Sequence, residues 1–121
     1  MPTRALGVPR SQGVPVAFTD AAPGITRHVM HGESMTIMRV AFAAGAVLPE
    51  HRHEHEQYTH VVRGRLSLSL RLEGSGTTRH LVLAAGDGFA IPPWAAHSMA
   101  ADEESETVEM FVPRRDDIPA A

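Results

Sequence analysis

Residues 45–64 read GAVLPEHRHEHEQYTHVVRG. Within this stretch His51, His53 and His55 alternate, and Gln57 continues the alternation. In an extended strand, side chains two apart lie on the same face. Read as one strand, the segment therefore points His51, His53 and Gln57 together into whatever that face covers. His55 shares their parity, and a bend in the strand would turn it aside; His60 has the opposite parity and reads as structural. Imidazoles and an amide oxygen converging on one point suit a metal ion, whereas a histidine-rich exposed strand is the plainer alternative. The run sits between apolar Val47-Leu48 and Val61-Val62 inside a strand pattern, which favours the metal.

Composition narrows the chemistry. With 121 residues, 43% hydrophobic and 21% charged, the chain reads as one globular domain with a buried core. It contains no cysteine, so thiolate metal sites, disulfide frameworks and cysteine nucleophiles are excluded, and any metal must take nitrogen and oxygen ligands. A formal net charge of −3 offers no basic excess for nucleic acid. The opening MPTRALGVPRSQGVPV has no apolar run suited to a signal peptide. The most apolar stretch, Ala41 to Leu48, is far shorter than the roughly 20 residues that span a bilayer. The expectation is a soluble cytoplasmic protein that engages neither membrane nor nucleic acid.

Working outward, residues 1–13 are rich in Pro, Gly and Arg and read as an N-terminal arm. Strands are expected at Val14–Phe18, Ile25–Met30 and Ser34–Phe42, the last apolar on both faces and so buried on both sides. Arg65 to Leu72 alternates, with Leu66, Leu68, Leu70 and Leu72 on one face and Arg65, Ser67, Ser69 and Arg71 on the other, which marks a half-buried strand. Residues 73–76 (EGSG) turn it back on Thr77–Leu83, and Gly86-Asp87-Gly88 is a second tight turn. Phe89–Ile91, Ala96–Ala100 and Thr107–Val112 complete the series. Short strands separated by Gly and Pro turns, without a helical stripe, predict an all-β sandwich or barrel. Its interior is the natural pocket.

Two further stretches carry chemistry. Residues 86–97, GDGFAIPPWAAH, combine a tight turn, a proline-stiffened extended segment and His97. Alone, His97 reads as a packing or surface residue; it gains meaning if it completes the first cluster. Residues 109–117, EMFVPRRDD, form a last strand and a charged tail. Glu109 and Phe111 share a face, which in a barrel can be the pocket face.

Together these residues resemble a single-domain cupin, a small antiparallel β-barrel or jelly roll of the double-stranded β-helix type. The family's first motif is Gly, five residues, His-x-His, three or four residues, Glu, six residues, Gly. It is matched by Gly45, His51, His53, Gln57 and Gly64. The second motif is Gly, five residues, Pro-x-Gly, two residues, His, three residues, Asn, and it is matched by Gly86, Pro92, Trp94, His97 and Ala101. The departures are Gln57 for Glu, which keeps a coordinating oxygen but loses a charge, Trp94 for Gly and Ala101 for Asn. The resemblance covers about residues 34–112, within a single domain 1–121 whose barrel is expected over about 25–112. It implies one divalent metal held by His51, His53, Gln57 and His97. Nickel, manganese, iron, zinc and cobalt all suit that donor set. Because the imidazoles must be neutral to bind, affinity is expected to fall as pH drops toward about 6.5.

The runs His-x-His-x-His-Glu-Gln and Asp-x-Phe-x-Pro-x-Arg-x-Asp also resemble one group of small cupins, the pectin-degradation proteins that linearise unsaturated uronates. His51 to Gln57 match the first run, and Glu109, Phe111, Pro113, Arg115 and Asp117 match the second with Glu for Asp. The resemblance implies Glu109 as acid/base and Arg115 as the cation facing a substrate carboxylate. Phe111 and Tyr58 join Arg115 as expected substrate contacts. The function so implied is a metal-dependent enzyme that opens or isomerises a small anionic sugar acid. A metal-dependent dioxygenase and a non-catalytic sugar- or metabolite-binding module stand as alternatives, because one fold hosts many functions. Apolar strand faces and the N-terminal arm point to a homodimer.

Overall fold

The computed structural model describes residues 15–17 and 22–118; the arm expected over 1–13 lies outside the described residues. All regular structure among the described residues is β: β1 Pro15–Ala17, β2 Ile25–His31, β3 Thr36–Phe42, β4 Val47–His51, β5 Glu56–Arg63, β6 Arg65–Arg71, β7 Arg79–Ala84, β8 Gly88–Ile91, β9 Ala96–Ala101 and β10 Ser105–Val112. Every pairing is antiparallel. One sheet runs β1-β2-β3-β10-β5-β8 and the other β4-β9-β6-β7.

The alternation in β6 is realised as expected. Leu66, Leu68 and Leu70 are buried, while Ser67, Ser69 and Arg71 turn outward; Leu72 lies past the strand end and is exposed. These leucines meet Met99 and Ala101 of β9 and, from the other sheet, Val29, Met38, Val40, Phe42, Val61 and Ile91, so the core lies between the two sheets. Each fully buried Leu, Ile or Phe contributes about 1.5–3 kcal/mol relative to an exposed one.

β3 departs from the expectation of burial on both faces. Thr36, Met38, Val40 and Phe42 face the interior, whereas Arg39 and Ala41 are exposed. An antiparallel sheet packed on one side needs apolar residues only there, so the apolar Ile37 and Ala41 on the other face are not core.

Two of the chain's changes of sheet lie in or just after the run from His51 to Gln57. β5 passes into β6 through Gly64 alone, at φ 90. That conformation disfavours any Cβ, and a Cβ built there collides with Ser105 and with the Glu104 carbonyl. The second change is between β4 and β5, and it breaks the expected histidine strand. His51 ends β4 in the four-stranded sheet, residues 52–55 form a bend, and Gln57 lies in β5 of the six-stranded sheet.

The tail after β10 is docked rather than solvated. Arg115 N–H donates to Thr36 Oγ1 at 2.8 Å, His31 Nε2 bonds the Ile118 carbonyl at 2.8 Å, and Ile118 is buried. With Nε2–H donating, His31 Nδ1 accepts from the Thr36 hydroxyl at 2.8 Å. This latch lays Arg115 against the barrel mouth.

Candidate metal centre and adjoining pocket

His51 and His97 are direct cross-strand partners of β4 and β9, and their rings stand 4.3 Å apart. His53 reaches the same point from the bend, 5.1 Å from the His97 ring and 5.7 Å from the His51 ring. One nitrogen from each ring lies within 4.8 Å of the others. The three imidazoles are oriented by the same device. Nδ1 of His51 bonds the Pro49 carbonyl at 2.9 Å, Nδ1 of His53 the His55 carbonyl at 3.0 Å, and Nδ1 of His97 the Ala95 carbonyl at 2.9 Å. A nitrogen that donates to a carbonyl carries the proton, so each Nε2 is left with a lone pair.

The surroundings of those lone pairs fit a cation. His97 Nε2 is buried without a hydrogen-bond partner. His53 Nε2 faces Gln57 Oε1 at 3.1 Å, two acceptors opposed with no hydrogen between them in this tautomer. Burial lowers the pKa of all three histidines, aided by the positive charge of Arg115, to about 4 for His53 and about 4 for His97. They are neutral at physiological pH, the state in which imidazole binds metal. His51, His53 and His97 could hold a divalent ion, with Gln57 Oε1 beside them. His55 stays outside the triad; its buried ring is 5.4 Å from that of His53, and its carbonyl is what steers His53.

Gln57 cannot turn its amide freely. Its Nε2 donates to Thr59 Oγ1 at 2.9 Å and to Glu109 Oε1 at 3.0 Å. The other Glu109 oxygen accepts from the Thr107 hydroxyl at 2.8 Å. Burial raises the Glu109 carboxyl to about 7, against the opposing pull of the Thr107 hydrogen bond and of Arg115 and Arg27. A pocket of about 250 Å³ opens here, lined by His51, Gln57, Glu109, Phe111, Arg115 and Arg27 among others. Phe111 is buried, edge-on to His53 at 5.8 Å, and carries the Arg115 guanidinium 4.9 Å above its ring. Arg115 also forms a two-bond pair with Asp117 through Nε and Nη2, at 3.0 and 2.9 Å.

Glu109, Phe111 and Arg115 thus come together beside the histidines, but Tyr58 does not. It follows Gln57 in a strand whose side chains alternate, so it points to the outer face, 41% exposed, with its hydroxyl against Gly88 and 3.4 Å from His60 Nδ1. The expected substrate contact at Tyr58 is corrected on that ground. Arg27 was missed. It occupies an inward position of β2 between buried Ile25 and Val29, and a charge at an apolar-parity site is the signal that could have found it. Thr59 and Thr107 were missed too, although both share parity with Gln57 and Glu109.

A cupin-domain family profile matches residues 38–113. The chain belongs to the cupin family. Among solved structures, this cupin is similar to KdgF from Halomonas sp., at 32% identity with a TM-score of 0.72, over 91% of this chain and 94% of that one. It is also similar to an RmlC-like cupin from Shewanella frigidimarina, at 27% identity with a TM-score of 0.67, over 78% of this chain and 80% of that one. Oxalate decarboxylase from Bacillus subtilis shares 18% identity at a TM-score of 0.71, over 82% of this chain and 29% of that one, which shows the common fold alone. A search of curated proteins gave no significant match. No helix among the described residues of this cupin is long and apolar enough to cross a membrane.

Proposed function

We propose that this cupin binds one divalent metal through His51, His53, Gln57 and His97 and linearises a 4,5-unsaturated uronate. The observation that carries the reading is the meeting of a raised, buried carboxyl, Glu109, with Arg115 and Phe111 in the pocket beside the histidine triad. Similarity to KdgF supports it. When bound, the metal supplies a Lewis acid for substrate oxygens.

The chain's own groups do the rest. Arg115 keeps guanidinium donors beyond the two bonded to Asp117, and these pair with the substrate carboxylate. Phe111 closes one wall and excludes water. Linearisation moves a single proton: the anomeric hydroxyl loses it as C1=O forms and the C1–O5 bond breaks, and the released C5 enolate becomes a ketone when C4 takes that proton up. No oxidant, reductant or water is consumed. A carboxyl titrating near neutrality suits both halves of that transfer, and Glu109 is assigned to it.

The test is incubation of metal-loaded protein with 4,5-unsaturated galacturonate. Faster loss of the ultraviolet absorbance of the double bond is expected; an unaccelerated rate removes this substrate. A second reading, a non-catalytic sugar-acid binder, is favoured by one observation: both Glu109 oxygens already accept hydrogen bonds. Recovery of unaltered ligand from the complex would select it.

The proposal includes a cytoplasmic homodimer. Exposed Tyr58, Val62, Met110 and Val112 on the outer face of the six-stranded sheet support self-association. Light scattering that finds only monomer removes the dimer.

A further inference from the structure

Trp94 is the only non-glycine residue with positive φ among the described residues, at φ 65. It stands where the second cupin motif has glycine. A bulky side chain is disfavoured in that conformation, and strain of this kind gathers where a side chain has work to do. The Trp94 N–H donates to the His53 carbonyl at 2.8 Å, so the loop that carries the indole is tied to the bend that carries His53. The indole is 47% exposed.

It lines a crevice of about 370 Å³ with Glu54, His55, Arg114, Asp116 and Asp117. This crevice shares no lining residue with the pocket of Glu109 and Arg115. His55 is only 6% exposed, and its Nδ1 is buried with no hydrogen-bond partner. A buried polar atom left without a partner is costly, and a ligand hydroxyl can satisfy it as donor or acceptor.

The charges around the crevice cancel. Arg114 pairs with Asp116 at 2.6 Å and Arg115 with Asp117 at 2.9 Å, which leaves Arg52 and Glu54, one of each sign. Such a balance draws in neither a carboxylate nor a cation. An exposed indole, carboxylate oxygens with spare lone pairs and an unsatisfied imidazole nitrogen together suit a ring with an apolar face and hydroxyl edges. We propose that this crevice is a subsite for a neutral pyranoside, stacked on Trp94 with a hydroxyl bonded to His55 Nδ1. The inference does not depend on the uronate reading: His53 also lines the crevice, but the ligand lacks a carboxylate and its contacts fall on Trp94 and His55.

Trp94 is the only tryptophan in the chain, so selectively excited tryptophan fluorescence reports on this crevice alone. Titration of the full-length protein with methyl β-galactopyranoside should give a saturable change at millimolar concentration, with saturation-transfer NMR showing the ring in contact with protein. Trp94→Gly restores the residue type that this backbone favours, so it is the variant expected to fold. In it, affinity read by saturation transfer should fall about tenfold or more. No saturable change in the wild type, equal affinity in Trp94→Gly, or a Trp94 fluorescence change that saturates at lower glucuronate than neutral glycoside would each overturn the proposal.

Discussion

Gln57 Nε2 donates to Glu109 Oε1 at 3.0 Å across the β5–β10 pairing, and this bond decides which end of the amide faces His53. A carboxylate can only accept, so the amide nitrogen turns to Glu109 and the oxygen to the imidazoles. Glu109 is therefore more than a candidate acid/base; it orients a neighbour of the candidate metal centre.

The two roles separate by substitution. Glu109→Gln keeps an oxygen that can accept from Gln57, so metal stoichiometry should be retained while turnover of the unsaturated uronate falls about 10²–10⁴-fold, the usual worth of a general acid/base. Glu109→Ala frees the amide and should also weaken metal affinity by about 10–100-fold, as loss of an outer-shell partner does. Elemental analysis alongside the absorbance assay checks both. If Glu109→Gln turns over at the wild-type rate, the carboxyl carries no proton.

Metal removal should cost stability, because an ion that binds the folded chain and not the unfolded one stabilises by mass action. At a free concentration of about 100 times Kd the gain is about 2.7 kcal/mol. Chelator treatment should lower the thermal midpoint and added divalent metal should restore it. In His97→Ala, which removes the fully buried nitrogen of the triad, added metal should leave the midpoint unmoved.

In the metal-free protein two opposing titrations set the pH dependence. His53 and His97 sit at about 4 folded against 6.5 unfolded, so the unfolded chain takes up protons first and stability is lost as pH falls from 6.5 through 4. Glu109 has the reverse sign. At about 7 folded against 4.5 unfolded, its contribution is present below 4.5 and is lost as pH rises through 7. Denaturant melts of chelated protein should therefore place maximum stability near pH 6.5, the unfolded histidine value, with a shallow fall up to the folded Glu109 value of about 7 and no further loss from Glu109 above it. Glu109→Gln should abolish that fall and steepen the rise below it.

Gly64→Ala should be among the most damaging single-methyl additions. The left-handed backbone costs a Cβ about 1–2 kcal/mol, and the collision with Ser105 and the Glu104 carbonyl forces the crossover between sheets to move. Loss of 3 kcal/mol or so in a urea melt is expected. A neutral result would mean that the β5–β6 crossover yields easily.

Much of this was legible from local pattern. The absence of cysteine confined any metal to nitrogen and oxygen ligands, the Leu66–Leu68–Leu70 alternation marked a half-buried strand, and two spaced motifs marked the cupin. Even the outward turn of Tyr58 was readable, because its parity opposes that of Gln57. Local spacing could not show that the histidine run is not a single strand. His51 and Gln57 belong to opposite sheets and His53 to the bend between them, so they converge because the chain crosses the barrel mouth there. Nor could spacing show the Gln57–Glu109 bond or the Thr36 latch that seats Arg115, since these join residues 52 and 79 positions apart. Periodicity reports which face a side chain takes within one element. Which elements meet, and which polar atoms are left to find partners when they do, is settled only when the two sheets close on their shared core.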